Sequence, residues 1–121
     1  MVERILVPLD GSDLAEAVLP YVERLAASTG ASVHLLTVVK NEPERERANS
    51  YLQSQRDRLR EQAVETSTAV APDGEAETIL NEAEARAVDL IAMSTHGRSG
   101  ALRWVFGSVA DKVAHATTRP L

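Results

Sequence analysis

The chain has 121 residues, 13 Lys+Arg against 18 Asp+Glu, a formal net charge of −5, no cysteine, and only one Trp, two Tyr and one Phe. That length is expected to give one compact domain that buries its core without covalent staples. The missing cysteines exclude a disulfide scaffold, thiolate-bound zinc and a cysteine nucleophile, and they fit a reducing compartment. Apolar runs such as Ile5 to Leu9 and Leu35 to Val39 fall far short of the roughly 20 residues that span a bilayer, and no charged-then-apolar leader opens the chain. An acidic balance with few rings argues against a nucleic-acid binder. The expectation is a soluble, cytoplasmic protein with no membrane partner.

Ile5-Leu6-Val7-Pro8-Leu9 is a continuous apolar run, as expected of a strand covered on both faces. Asp10-Gly11-Ser12-Asp13 ends it with turn formers. Asp13 with Glu16 resembles a capping box, and Ala15, Val18, Leu19, Val22, Leu25 and Ala26 recur at helical spacing up to Gly30, a C′ residue. Pro20 inside that pattern is expected to kink or loosen the helix. Val33 to Val39 reads as a second buried strand, in which His34 reads as a hydrogen-bonded structural residue rather than a ligand.

Asn41 to Arg47 is charged and carries Pro43, so a loop is predicted there. A weakly amphipathic helix then runs to Gln62, with Tyr51, Leu52 and Leu59 as its main apolar points and interleaved Arg and Glu on a solvated face. Val64 to Ala71 is predicted as a third strand near an edge, followed by a turn at Pro72-Asp73-Gly74. Glu75 to Arg86 should form a helix burying Ile79, Leu80 and Ala83. Val88 to Met93 should form a fourth strand. Ser94 to Phe106 reads as a loop anchored by Trp104 and Phe106, leading into a last helix from Ser108 to Ala116. Strands alternating with helices imply a parallel, doubly wound α/β sheet. A fifth strand would be usual, and the chain ends at Arg119-Pro120-Leu121 where it should begin.

The chemistry concentrates late in the chain. Residues 97–121 carry a net +3, leaving −8 for residues 1–96, and Gly97, Gly100 and Gly107 are three of the six glycines. A cationic, glycine-rich segment inside an acidic protein points to a small anion. In doubly wound sheets ligands bind beyond the carboxyl ends of the strands where the strand order reverses. If the first and fourth strands are neighbours there, Leu9-Asp10 and Met93-Ser94-Thr95 line that crevice. Gly107-Ser108 opens the last helix, whose free N–H groups and dipole attract an anion. The glycines allow close backbone approach, although the same residues also suit simple turn chemistry. There is no G-x-x-x-x-G-K-[S/T] and no G-x-G-x-x-G after the first strand, which excludes the P-loop and the dinucleotide fingerprint. His34, His96 and His115 lie on separate elements with no i, i+4 pairing, so no metal site is expected. His96 reads as a residue that orders its loop.

Ser94-Thr95-His96-Gly97-Arg98-Ser99-Gly100, followed by Gly107-Ser108-Val109-Ala110, resembles the signature of the universal stress protein (UspA-like) family. Its nucleotide-binding branch carries G-x2-G-x9-G-[S/T]. Gly97, nine intervening residues, Gly107 and Ser108 match in register, with Ser94 in place of the first glycine. Ile5 to Ser12 and Ala87 to Met93 agree as well, so the resemblance spans the chain. It implies a Rossmann-like, adenine nucleotide alpha hydrolase-like fold and ATP lying across the switch point. By that resemblance Asp10 sits near the ribose and phosphates, and the backbone of Val38 meets the adenine. Gly97, Arg98, Gly107, Ser108 and Val109 match the phosphate cradle, and Pro8, Leu9, Met93, Thr95 and Gly100 complete the expected site. Mg2+ or Mn2+ would be held by the phosphates. The family's last strand commonly pairs two subunits, which implies a homodimer. The function implied is a stress-response protein binding ATP as a regulatory ligand with little or no turnover. The alternatives are a nucleotide-free interaction module, a slow ATPase, or an AMP or cyclic AMP binder.

Overall fold

A computed structural model of the chain describes residues 3–9, 16–39, 41–72 and 75–92. Four parallel strands make one sheet: β1 (Arg4–Pro8), β2 (Ser32–Val39), β3 (Thr66–Pro72) and β4 (Leu90–Ile91), in the order β3-β2-β1-β4. Helices α1 (Leu19–Thr29), α2 (Glu42–Glu61) and α3 (Glu75–Ala85) connect them. The expected neighbours β1 and β4 are indeed paired, with Leu6 opposite Ile91. The expected parallel, doubly wound sheet is the observed one.

Alternation along the strands divides the core in two. Ile5 and Val7 of β1 and Val33 and Leu35 of β2 face Val22 and Ala26 of α1 and Leu52 and Leu59 of α2. Leu6, Leu36 and Ile91 face the other way, onto Ile79 and Ala83 of α3. Both faces of β1 are therefore covered, which is why its sequence is apolar without alternation.

Pro20 falls in the first turn of α1, where its missing N–H is one the helix cannot use anyway. Ala17 and Val18 form a turn before it, so the effect expected of this proline is to set where the regular helix starts. Gly30 closes α1 at φ 75°, and its N–H donates to the Ala26 carbonyl at 2.8 Å, as its position predicted. Asp13 and Ala15 lie outside the described residues.

The segment predicted as a loop over Asn41–Arg47 is instead the start of α2. The Asn41 side chain caps the helix by accepting from Glu44 N–H at 3.0 Å, Pro43 occupies the first turn, and Glu42 and Glu44 complement the dipole there. Charge and proline were read as loop signals when they are helix-start signals. The helix buries Leu52 and Leu59 as expected, and also Ala48 and Gln55.

Three smaller corrections concern strand and helix ends. β3 begins at Thr66 rather than Val64 and includes Pro72, which pairs with Val39. Proline is tolerated there because β3 is an edge strand. The predicted helix Glu75–Arg86 ends at Ala85. β4 is shorter than Val88–Met93 because Val88 N–H still donates to Ala83 at the end of α3, at 3.0 Å. Met93 is outside the described residues, as are the predicted loop and helix over Ser94–Ala116 and the chain end.

The amino ends of the strands are tied together. Asp89, the one charged residue of the predicted fourth strand, accepts from the backbone N–H groups of Glu3 and Arg4 at 2.8 and 2.9 Å through a single oxygen. Those two bonds hold its carboxyl below the usual carboxylate range. On the α3 face, buried His34 bridges three elements: Nδ1 lies 2.7 Å from Ser67 Oγ on β3, and Nε2 lies 2.6 Å from Glu82 Oε2 on α3. The expectation of a hydrogen-bonded structural histidine is met.

Two predictions follow from these ends. Ala63, between α2 and β3, holds φ 62°, a left-handed conformation that costs a residue with a Cβ about 1 kcal/mol. Ala63→Gly should therefore raise the urea midpoint of unfolding. Because the folded Asp89 pKa lies below its unfolded value, its stabilisation is present at neutral pH and lost as pH falls through the folded value. Asp89→Asn should lower stability at pH 7 and flatten the decline seen below about pH 4, as read by denaturant titrations across that range.

Candidate functional site

At the carboxyl end of the sheet, both ladders of β1 stop within two residues. Toward β4, Ala92 N–H donates to Leu6 O at 2.8 Å. Two residues on, the bond that would continue the ladder requires an N–H from position 8, and Pro8 has none. Toward β2, Ser32 N–H donates to Glu3 O and Leu9 N–H donates to Leu36 O. The next bond in that register would run from Val38 N–H to Leu9 O. The Thr37 hydroxyl takes this carbonyl instead, at 2.9 Å and in a buried setting.

This arrangement fixes what faces the crevice. Even-numbered residues of β2 direct their backbone groups toward β1, as Ser32 and Leu36 do, and odd-numbered ones toward β3, as Val33 does through Glu65 O. Val38 is even-numbered, and β1 pairs no further than Pro8 opposite Leu36. Its N–H and C=O thus point into the space beyond Leu9, a donor and an acceptor side by side on one strand end. Leu9 is buried, and Pro8 and Val38 are partly exposed along the rim.

Of the residues expected to form the site, Pro8, Leu9 and Val38 come together here, next to the β1/β4 boundary where the strand order reverses. Asp10, Met93, Thr95, Gly97, Arg98, Gly100, Gly107, Ser108 and Val109 lie outside the described residues. Chain connectivity starts two of the missing segments at this rim: residue 10 follows Leu9, and residue 93 follows Ala92. Sequence reasoning missed Thr37, which it absorbed into an apolar strand. The available signal was a hydroxyl residue among the five buried or half-buried apolar residues of its strand. Among the described residues no group of three or more His, Asp or Glu is placed to hold a metal ion, and no helix is long and apolar enough to cross a membrane.

Thr37 tests this description of the rim. Thr37→Val keeps the shape and removes the donor to Leu9 O, leaving a buried carbonyl short of a partner at a cost of about 1–3 kcal/mol. Thr37→Ser should restore most of it. Paired denaturant unfolding of the two variants against the parent checks the difference.

Comparison with known proteins agrees with this architecture. The sequence model of the universal stress protein family matches residues 1–121. The chain is 28% identical over 145 aligned residues to universal stress protein YxiE of Bacillus subtilis, covering all of this chain and 97% of that one. The solved structure of hypothetical protein MJ0577 superimposes with a TM-score of 0.84 at 25% identity, over 99% of this chain and 93% of that chain. A universal stress protein solved in complex with cAMP superimposes with a TM-score of 0.80 at 19% identity, over 98% and 93%. The end-to-end family match joins the strand order and the sequence signature in one conclusion: this chain belongs to the universal stress protein family.

Proposed function

We propose that this domain binds an adenine nucleotide, ATP first, as a regulatory ligand across the carboxyl ends of β1, β2 and β4. The observation that carries this reading is the Val38 backbone. Among the described residues neither group has a partner, and an N–H beside a C=O complements the edge of adenine, which offers a ring nitrogen as acceptor and an amino group as donor.

The rest of the ligand is assigned from sequence. Asp10, next in sequence to Leu9, would meet the ribose hydroxyls or the phosphates, as the family resemblance implies. Gly97, Arg98, Gly100, Gly107, Ser108 and Val109 supply the phosphate cradle, with Met93 and Thr95 leading into it. A helix N-terminus entered through glycines donates backbone N–H groups to phosphate oxygens. When bound, Mg2+ or Mn2+ would neutralise phosphate charge, with the phosphates as its main ligands. The cAMP complex of a family member supports the adenine part of this reading. It also gives weight to a second reading, in which AMP or cyclic AMP is the ligand.

Little or no turnover is proposed. Backbone donors arranged around ground-state phosphates bind without accelerating, since hydrolysis also needs a group that positions water and stabilises charge in the transition state. Nucleotide occupancy would instead bias the order of the segment after β4, a surface that protein partners can read. A cytoplasmic homodimer is the proposed setting.

Equilibrium titration with labelled ATP should give saturable binding below millimolar concentration, weakened at least tenfold in Gly107→Ala. Failure to saturate, or a Gly107→Ala variant equal to the parent, rejects the proposal. Competition by cAMP stronger than by ATP favours the second reading. Phosphate release abolished in Asp10→Asn would mark an ATPase.

A further inference from the structure

The opposite end of the sheet carries a second cleft, remote from the proposed nucleotide site. It has a volume of about 170 Å3 and is lined by Arg4 and Ile5 of β1, Ser32 and His34 of β2, Ser67 of β3, and Arg86 and Val88 after α3. At about 30 Å3 per water, that is room for one tetrahedral oxyanion with part of its hydration shell. The lining is unusual for a chain of net charge −5. Two arginines, two serines and a histidine line it, with no acidic residue among them; Arg4 Nη1 donates to Ala87 O and Ser32 Oγ to Glu3 O, each at 3.4 Å, long contacts that an anion could replace.

The two nearby acids are already engaged, although Glu82 touches two of the lining residues. Asp89 accepts the backbone N–H groups of Glu3 and Arg4. Glu82 accepts from His34 at 2.6 Å, and its same oxygen stands 3.6 Å from Arg86 Nε. Such a half-exposed arginine pair is worth little in water, so Arg86 gives it up at small cost for an anion in the cleft.

We propose that this cleft is a binding site for a phosphate-class oxyanion, and that occupancy is coupled to proton uptake on His34. The coupling follows from the hydrogen-bond chain. The Glu82 carboxylate can only accept, so His34 Nε2 carries a proton and donates to it. With the ring neutral, Nδ1 then accepts from the Ser67 hydroxyl, and that hydroxyl's proton is spent. Protonation of Nδ1 reverses the bond: Nδ1–H donates to Ser67 Oγ, and the Ser67 proton turns free for an oxyanion.

Charged and titratable groups approach His34 from each side. Arg4 comes from β1; Glu82 and Arg86 come from α3 and its end; Ser67 comes from β3, and Ser32 lies on its own strand. Burial chiefly, and then the Arg86 charge, hold the imidazole pKa below its ordinary value, against the opposing pull of Glu82. An anion between Arg4 and Arg86 cancels the opposing cationic field. Binding should therefore tighten as pH falls toward 6, and the bound anion should raise the histidine's titration midpoint.

Sulfate is the probe, because its charge stays constant between pH 5.5 and pH 8, read on the imidazole proton resonances of the full chain. The three histidines are His34, His96 and His115, and His34→Gln identifies the relevant signal. Sulfate should move the His34 resonance saturably in the millimolar range, with phosphate competing. The midpoint should rise at least fivefold in Arg4→Gln, in Arg86→Gln and in the uncharged change Ser32→Ala, and should fall at least threefold from pH 8 to pH 6. A linear, unsaturated drift at His34, or variants that bind as the parent does, overturns the proposal. Saturation confined to His96 also overturns it, by putting the anion in the glycine-rich segment, and leaves the nucleotide reading intact. Saturable binding with no pH dependence overturns the coupling to His34.

Discussion

The central position of β1 is the constraint on which the rest depends. It is hydrogen-bonded to β2 on one side and β4 on the other, and it contributes to the apolar clusters on both faces of the sheet. A strand in that position must end abruptly to leave a usable crevice, because a ladder that continued would fill the space with backbone. Two different devices end it. Proline withholds the donor toward β4, and a threonine hydroxyl intercepts the acceptor toward β2. The second device leaves the Leu9 carbonyl satisfied, since the Thr37 hydroxyl takes the place of the Val38 N–H.

The two ends of the sheet consequently differ in kind. At the amino end, Asp89 closes the β1/β4 boundary by collecting backbone donors from β1, and the His34 chain fastens β2 and β3 to α3. That polar tie sits on the face with the smaller apolar cluster. Where a helix buries little apolar surface, its position can slide among several similar packings. A histidine that must satisfy two partners at once admits one of them, since a half-satisfied network in a buried setting is worse than none. Burying His34 therefore contributes uniqueness to the docking of α3 as well as energy.

Legibility in the sequence followed the range of the interactions. Apolar runs of strand length, separated by helical periodicity, reported the doubly wound sheet because coverage of both faces is a property of each strand taken alone. Gly30 was legible for the same reason, as a local backbone demand. Asn41 and Pro43 were equally local but ambiguous: the same two residue types start helices and populate loops, and the deciding bond, from Glu44 N–H, exists only once the helix does. The ties of His34 to Ser67 and Glu82 span 33 and 48 positions and could not be read from spacing. In the candidate site, Leu9 was legible from the crevice argument and Val38 only through the family resemblance; the strand register puts both at one rim. Thr37 was invisible because its role lies in interrupting a pairing, which no pattern of hydrophobicity records.

A strand as short as β1 also links the two ends mechanically. Arg4, at the rim of the amino-end cleft, and Pro8, at the rim of the crevice, stand at its two ends, a span of roughly 13 Å at 3.3 Å per residue. A strand held on both sides and both faces does not bend easily, so a displacement at one end is carried to the other as a rigid shift, with β2 moving alongside. His34 and Val38 lie on one face of β2, four residues apart, with Leu36 between them buried against the α3 side. Charge on the first and base contacts at the second would act on the same rigid rod. Two ligands on such a rod influence one another only if their bound states prefer different strand positions, and any such coupling must be equal in both directions. Were both proposed ligands to bind, the strength of any coupling would depend on how far each displaces β1 and β2 from the positions set by the other.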